Sequence, residues 1–121
     1  MLETLVPRPR MELPAGITIN PEHPMYAIAF DMDIDSLRRT YGDPYNNAYL
    51  EIRKVLQSHG FNWQQGSVYF GGENTNAVTC VLAAIDLAAQ LPWFSASVRD
   101  IRMLRIEELN DLMPAVQRGS P

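Results

Sequence analysis

The chain has 121 residues, 46% of them hydrophobic, which suits one domain with a single modest core and leaves no room for two. Ten Lys and Arg against fourteen Asp and Glu give a formal charge of −4, which excludes binding to nucleic acid by bulk charge and leaves only a local patch. The one cysteine, Cys80, excludes an intramolecular disulfide and a multi-cysteine metal site and fits a reducing cytoplasm; no apolar run nears the roughly 18 residues of a membrane span.

In chain order, Met1 to Pro24 carries five prolines (Pro7, Pro9, Pro14, Pro21 and Pro24) without sustained periodicity and reads as an extension ahead of the domain. Within it, Gly16-Ile17-Thr18-Ile19 fits a short extra strand. Met25 to Asp31, Met-Tyr-Ala-Ile-Ala-Phe-Asp, is free of breakers and predicts a buried central strand. Tyr26, Ile28 and Phe30 share one face, and Ala27, Ala29 and Asp31 the other. A strand apolar on both faces needs cover on both, from helices or from a partner subunit. Ile34 to Gly42 is a loop or short helical turn bearing Arg38 and Arg39. Asp43-Pro44 offers a helix cap and a first-turn proline, and Tyr45, Ala48, Tyr49, Ile52, Val55 and Leu56 follow at helical spacing up to His59-Gly60.

Phe61 to Gln64 and Ser67 to Phe70 predict two short strands around the break at Gln65-Gly66, a hairpin or a bulged strand. Glu73 to Leu91 predicts the second helix, capped by Asn74 or Thr75. Its expected buried face is Ala77, Val78, Val81, Leu82, Ala84, Ile85, Ala88 and Ala89, and Pro92 ends it. Trp93-Phe94 then plugs the core edge from a turn. Ser97 to Ile106 predicts a long strand with Val98, Asp100, Arg102, Leu104 and Ile106 on one face and Ser97, Arg99, Ile101, Met103 and Arg105 on the other. Glu107 to Met113 fits a short helix, and residues 117–121 a polar tail, so the domain spans residues 25–116.

The order strand, helix, strand, strand, helix, strand is that of an α+β, ferredoxin-like split βαβ fold with an antiparallel sheet. Right-handed crossovers put the first and last strands side by side at the sheet centre and both helices on one face. The opposite face, with Ala27 and Ala29, then invites a second copy of the chain, a homodimer.

Asp31, at the mouth of a buried strand, is the first candidate site: a carboxylate there is costly unless solvated, paired or bound. It is a candidate general base, RNA-contacting acid or ligand for Mg2+ or Mn2+, set against a plain strand-end aspartate. Asp33 and Asp35 follow at spacing two. Asp100 stands among Arg99, Arg102 and Arg105, either in an ion pair along the sheet or near Asp31, within one sheet or across the dimer. Ser67, after Gly66, can donate to a phosphate or simply bond its own turn. No Ser-His-Asp spacing supports a hydrolase triad, and His23 and His59 give no sign of converging. Arg38, Arg39, Arg53 and Lys54 with the arginines of the last strand form either a basic strip or a solvated surface.

Three stretches in order, Met25 to Asp31, Gln65-Gly-Ser-Val-Tyr69 and Ser97-Val-Arg-Asp-Ile-Arg102, resemble the virulence-associated protein D family, VapD, over Met25 to about Met113. The resemblance implies a ferredoxin-like homodimer with endoribonuclease activity, the toxin of a toxin–antitoxin pair, distantly like the CRISPR-associated ferredoxin-fold nucleases. It implies an RNA substrate, a small protein antitoxin and no membrane partner. Position by position, it implies that Asp31, Ser67 and Asp100 are catalytic, with Leu37 near the site. Arg99 and Arg102 are the expected phosphate holders, and Mg2+ or Mn2+ at Asp31 is the expected cofactor. The extension from Met1 to Pro24 departs from the family pattern. The alternative is a non-catalytic nucleic-acid-binding or assembly module on the same dimer.

Overall fold

A computed structural model of the chain describes residues 24–119; the expected strand at Ile17 to Ile19, and His23, lie outside the described residues. Four strands form one antiparallel sheet in the order β2-β3-β1-β4. They are β1 (Met25–Met32), β2 (Phe61–Gln65), β3 (Val68–Gly71) and β4 (Val98–Ile106). Between them lie α1 (Ile34–Thr40), α2 (Asn46–Ser58), α3 (Ala77–Gln90) and the one-turn α4 (Phe94–Ser97), and α5 (Met113–Gly119) follows β4. This is the expected βαββαβ order. The last strand lies beside the first, as expected, but at the edge of the sheet: the centre is shared by β1 and β3. The short β3 takes the inner place because each βαβ crossover leaves a gap one strand wide, and the hairpin return fills it.

The two faces of β1 part as the alternation requires. Ile28, Phe30 and Met32 join the main core beneath the helices with Leu37, Ile52, Leu56, Phe61, Tyr69, Leu87 and Phe94. Met25 and Ala27 form a second, smaller cluster with Phe70 on the other face, flanked by Val68, Ile106 and Leu109. The chain after β4 thus lays Leu109 over part of the sheet face that the helices leave open. Residues 107–112 are not helical, contrary to expectation, and the last helix begins at Met113 and takes in Gln117 to Gly119 of the expected polar tail.

A bulge shapes the top of the sheet. Asp31 pairs with Asp100 in register, whereas Met32 pairs with Val98, so Arg99 is the extra residue. The shift also turns Val98 to the main core rather than to the face of Asp100, since one extra residue reverses side-chain direction. A second register shift, between Trp63 and Gln65, bears out the bulged hairpin.

Both long helices depart from expectation in detail. Asp43 does not cap α2; it faces Arg38 at 3.5 Å, and Tyr45 takes the cap position. In α3 the cap is Asn76, in a reciprocal pair with Thr79, because Thr75 bonds back to the Gly72 carbonyl at 2.6 Å. The helix buries Cys80, Ala83 and Leu87. Val78, Val81, Leu82 and Ile85, expected inside, are all more than half exposed.

His59, at the end of α2, meets Asp86 of α3 at 2.8 Å and fastens the two helices together. The bond from His59, then that from Gln90, holds the Asp86 carboxyl below its ordinary value of 3.8. A carboxyl whose pKa is lower in the folded chain binds fewer protons there. Its contribution is therefore full above the ordinary value and is lost as pH falls through the depressed one. Acid melting curves should show this: the fall in melting temperature below about pH 4 should be smaller in an Asp86→Asn variant than in the native chain.

Candidate active site

Three chain segments meet at one end of the sheet: the end of β1, the turn entering β3 and the start of β4. The Phe30 amide donates to the Ser67 carbonyl at 3.1 Å, and the Asp33 amide to the Ser97 carbonyl at 2.8 Å. These bonds lock Asp31 between the β3 entry on one side and β4 on the other. Asp31 and Asp100 are direct cross-strand partners on the open face, which answers how they approach: within one sheet. Like charges directly opposite repel, and each is met by a guanidinium. Arg99, thrown out by the bulge, reaches Asp31 at 3.8 Å and Asp33 at 3.9 Å. Arg102 clasps both oxygens of Asp100 at 3.0 and 3.1 Å.

Asp33 opens α1, where the Ser36 hydroxyl donates to its carboxylate at 3.0 Å. That bond, ahead of the Ser36 amide and the charge of Arg99, lowers its pKa. Asp31, Asp100 and Arg99 are well exposed at this rim, and Ser67 is half-buried beside it. The rim therefore offers carboxylates able to take a proton, a guanidinium that can move from carboxylate to phosphate, and a hydroxyl able to donate.

Leu37 is fully buried in the main core, where the middle of α1 faces inward, so it seats the helix that follows Asp31 and Asp33. The expected basic strip is broken up. Arg38 pairs with Asp43, Arg39 with the Ser36 hydroxyl, Arg105 with Glu107, and Arg53 lies over the Trp63 ring at 4.5 Å.

Magnesium binds through one or two carboxylates with waters and substrate phosphate, and at this rim Asp31, whose Arg99 partner stands 3.8 Å away, is the carboxylate that would hold it, and the ion would help neutralise the scissile phosphate. The chemistry of the rim is derived below from its own side chains.

Tyr49 takes its expected place in the apolar stripe of α2. The Tyr49 ring packs on the main core and edge-on to Tyr45 at 6.4 Å, and Arg38 lies over the Tyr45 ring at 5.2 Å. Burial, then Tyr45 and Asp31, raise the pKa of its phenol, so Asp31 lies within electrostatic reach.

Residues 24–111 match the family model described as CRISPR associated protein Cas2. Endoribonuclease VapD 2 of Riemerella anatipestifer is 53% identical over 93 residues, 76% of this chain and 99% of the relative. An endoribonuclease VapD homolog of Helicobacter pylori is also 53% identical, over 77% of this chain and 97% of the relative. Endoribonuclease VapD of Dichelobacter nodosus is 48% identical, over 77% and 98%. Among the described residues, no helix is long and apolar enough to cross a membrane. With three named VapD proteins matched along nearly their whole length, and the Cas2 model matched over the sheet and both long helices, the chain belongs to the VapD endoribonuclease family.

Proposed function

We propose that this protein is an endoribonuclease that cleaves RNA at the rim where β1, β3 and β4 meet, and that it acts as the toxin of a toxin–antitoxin pair. The observation that carries the enzymatic reading is the cross-strand pairing of Asp31 with Asp100, with Arg99 held beside them by the bulge. Asp31 takes the proton of the attacking hydroxyl as its oxygen bonds to phosphorus, the phosphorus–oxygen bond to the departing ribose breaks, and that ribose oxygen takes a proton from solvent. Arg99 exchanges Asp31 and Asp33 for the scissile phosphate, which its planar fork suits better than carboxylates at 3.8 and 3.9 Å. Ser67 donates to the same phosphate from the other side, and Arg102 holds Asp100 in place. The toxin role rests on likeness to VapD, and a small protein antitoxin is the partner it implies. The deciding assay is cleavage of single-stranded RNA by the purified chain against its Asp31→Asn variant.

The functional unit is a homodimer through the sheet face away from α2 and α3. On that side Leu104 is 43% exposed, Ile106 is half-buried beside it, and the sheet cover supplied by the described residues is narrow. An uncovered apolar sheet face favours a partner. Sedimentation at micromolar concentration should show a dimer; monomer alone would overturn the assembly. A Leu104→Glu variant should shift a dimer toward monomer.

A further inference from the structure

We propose that Gly16 to Ile19 of the extension dock on this chain's own domain as a fifth strand along the outer edge of β4, with an isoleucine side chain seated between β4 and α3. The docking does not depend on RNA cleavage. Its grounds are a helix face without cover, a socket beside it, an open strand edge and the length of chain that leads into β1.

α3 is apolar nearly all round. Asp86 is its one charged residue, and it faces His59 at 2.8 Å. A helix of that composition is normally buried on every side. Here the core takes only Cys80, Ala83 and Leu87, while Val78, Val81, Leu82 and Ile85, at spacings of three and four, form one stripe that is 53–65% exposed. Beside the stripe a cavity of about 120 Å3 opens between α3 and β4. Val81 and Ala84 wall it on one side and Ile101, Arg102 and Met103 on the other, with the buried Ile28 and Cys80 at its base. An apolar cavity of about 150 Å3 holds a benzene molecule, so this one takes a single aliphatic side chain. β4 runs nine residues with no strand on its outer side among the described residues. A long open edge is a template for a further strand. The stripe and the edge flank the same cavity, so a strand added to β4 lays alternate side chains against α3.

Reach, pattern and charge select the occupant. Residues 20–24 separate Ile19 from Met25, the first residue of β1, and β1 lies one strand in from β4. Two strand spacings are about 10 Å, whereas five residues can span about 16 Å. Met25 pairs with Ile106, so the extension enters β1 beside the end of β4. Ile17 and Ile19 alternate onto one face, and Gly16-Ile-Thr-Ile-Asn20 carries no charge. A second copy of β4 would bring Arg102 and Arg105 close to their own kind across an antiparallel edge; the neutral stretch brings no like charge. Attachment through β1 also holds the extension at high effective concentration. Docked there, it closes the edge of the strand that carries Asp100 and Arg102.

The test uses the full chain. In Ile17→Asp/Ile19→Asp, amides on the outer edge of β4 should exchange with solvent on the order of 10-fold faster than in the native chain, and the melting temperature should fall by roughly 4 to 8 °C. Val81→Asp, which charges the socket wall, should do the same. Both variants break one contact, so the three changes together should be scarcely worse than either set alone. The isoleucine changes lie outside the described fold and carry the test even if Val81→Asp fails to fold. Edge amides of β4 that exchange equally fast in the native chain and the isoleucine variant would overturn the proposal. Full additivity of the two melting-temperature shifts would overturn it too, since the segments would then act apart. Self-association lost in Val81→Asp but kept in the isoleucine variant, read by sedimentation, would make a second copy the occupant and would also overturn it.

Discussion

Asp31→Asn should slow RNA cleavage on the order of 100-fold or more, the usual scale for removing a general acid–base group, with the melting temperature level or slightly higher. The structure separates the two effects. Asp31 lies on the exposed rim, directly opposite Asp100, so its charge works against the fold on one side. Its pair with Arg99 is long, 3.8 Å, and both side chains are 63% exposed, a class of ion pair that contributes little. Asparagine keeps the shape and loses the charge. A large loss of stability in the variant would make Asp31 a structural acid instead, and near-native cleavage would remove it from the mechanism.

Asp100→Asn sharpens the result. Because the two acids are register partners, they are candidates for one catalytic unit rather than two independent groups. The double variant should then be scarcely slower than the worse single one. Arg102 complicates the single variant usefully: freed from Asp100, it becomes available to the phosphate, so Asp100→Asn should lower the rate without weakening RNA binding. Full multiplication of the two defects would mean separate roles.

Local patterning carried much of this fold. The alternation from Tyr26 to Asp31 assigned both faces of β1 correctly, because a strand buried on each side has no freedom of register. The Gln65-Gly66 break marked the hairpin, since Gly66 takes a positive φ of 50° that other residues avoid. What failed was anything that depends on which of several apolar surfaces wins. In α3 nearly every position is apolar, so the sequence contains no contrast to select a face; Ala83 and Cys80 are small enough for close approach, and the larger Val78, Val81, Leu82 and Ile85 are left outside. In β4 the length and apolar content suggested a central strand. The open-face side is instead served by Leu109 from further along the chain, and the outer edge has no sheet neighbour among the described residues.

Where the candidate residues fall in the fold was legible to the same degree and for the same reason. Asp31, Ser67 and Asp100 sit at strand ends, where a short-range pattern fixes position, and the topology brings those ends together. Leu37 lies on a helix whose rotation is set by tertiary packing, and α1 turns it fully inward. The bulge at Arg99 was also invisible beforehand. A continuous alternation from Ser97 to Ile106 predicts a flat register, whereas the extra residue frees the Arg99 guanidinium to reach Asp31 and Asp33 together.

Phe61→Ala should cost about 3–5 kcal/mol, the range for deleting a buried phenylalanine, and lower the melting temperature by roughly 15 °C or more. Phe61, Trp63 and Tyr69 share the hairpin, yet the structure gives them different work. Phe61 is fully buried in the main core and Tyr69 nearly so, while Trp63 is 45% exposed, with its indole N–H donating to the Gly66 carbonyl and Arg53 over its face. Phe61 and Tyr69 therefore pack in the core, whereas Trp63 covers the outer side of the hairpin. The large cost at Phe61 follows from its neighbour. Its cross-strand partner is Gly71, and a Cβ there would stand 3.0 Å from the Phe61 ring and collide with the Thr75 side chain. The ring thus occupies the space that a side chain on β3 would otherwise fill, and with glycine opposite nothing can swing in to close the hole. Trp63→Ala, which opens no sealed cavity, should cost about 1 kcal/mol and leave the chain folded. Chemical denaturation of the two variants side by side checks the contrast. Similar losses would mean that Phe61 is not the anchor of the hairpin, and a Trp63→Ala chain that keeps its stability but binds RNA more weakly would place the outer face of β2 in the substrate path.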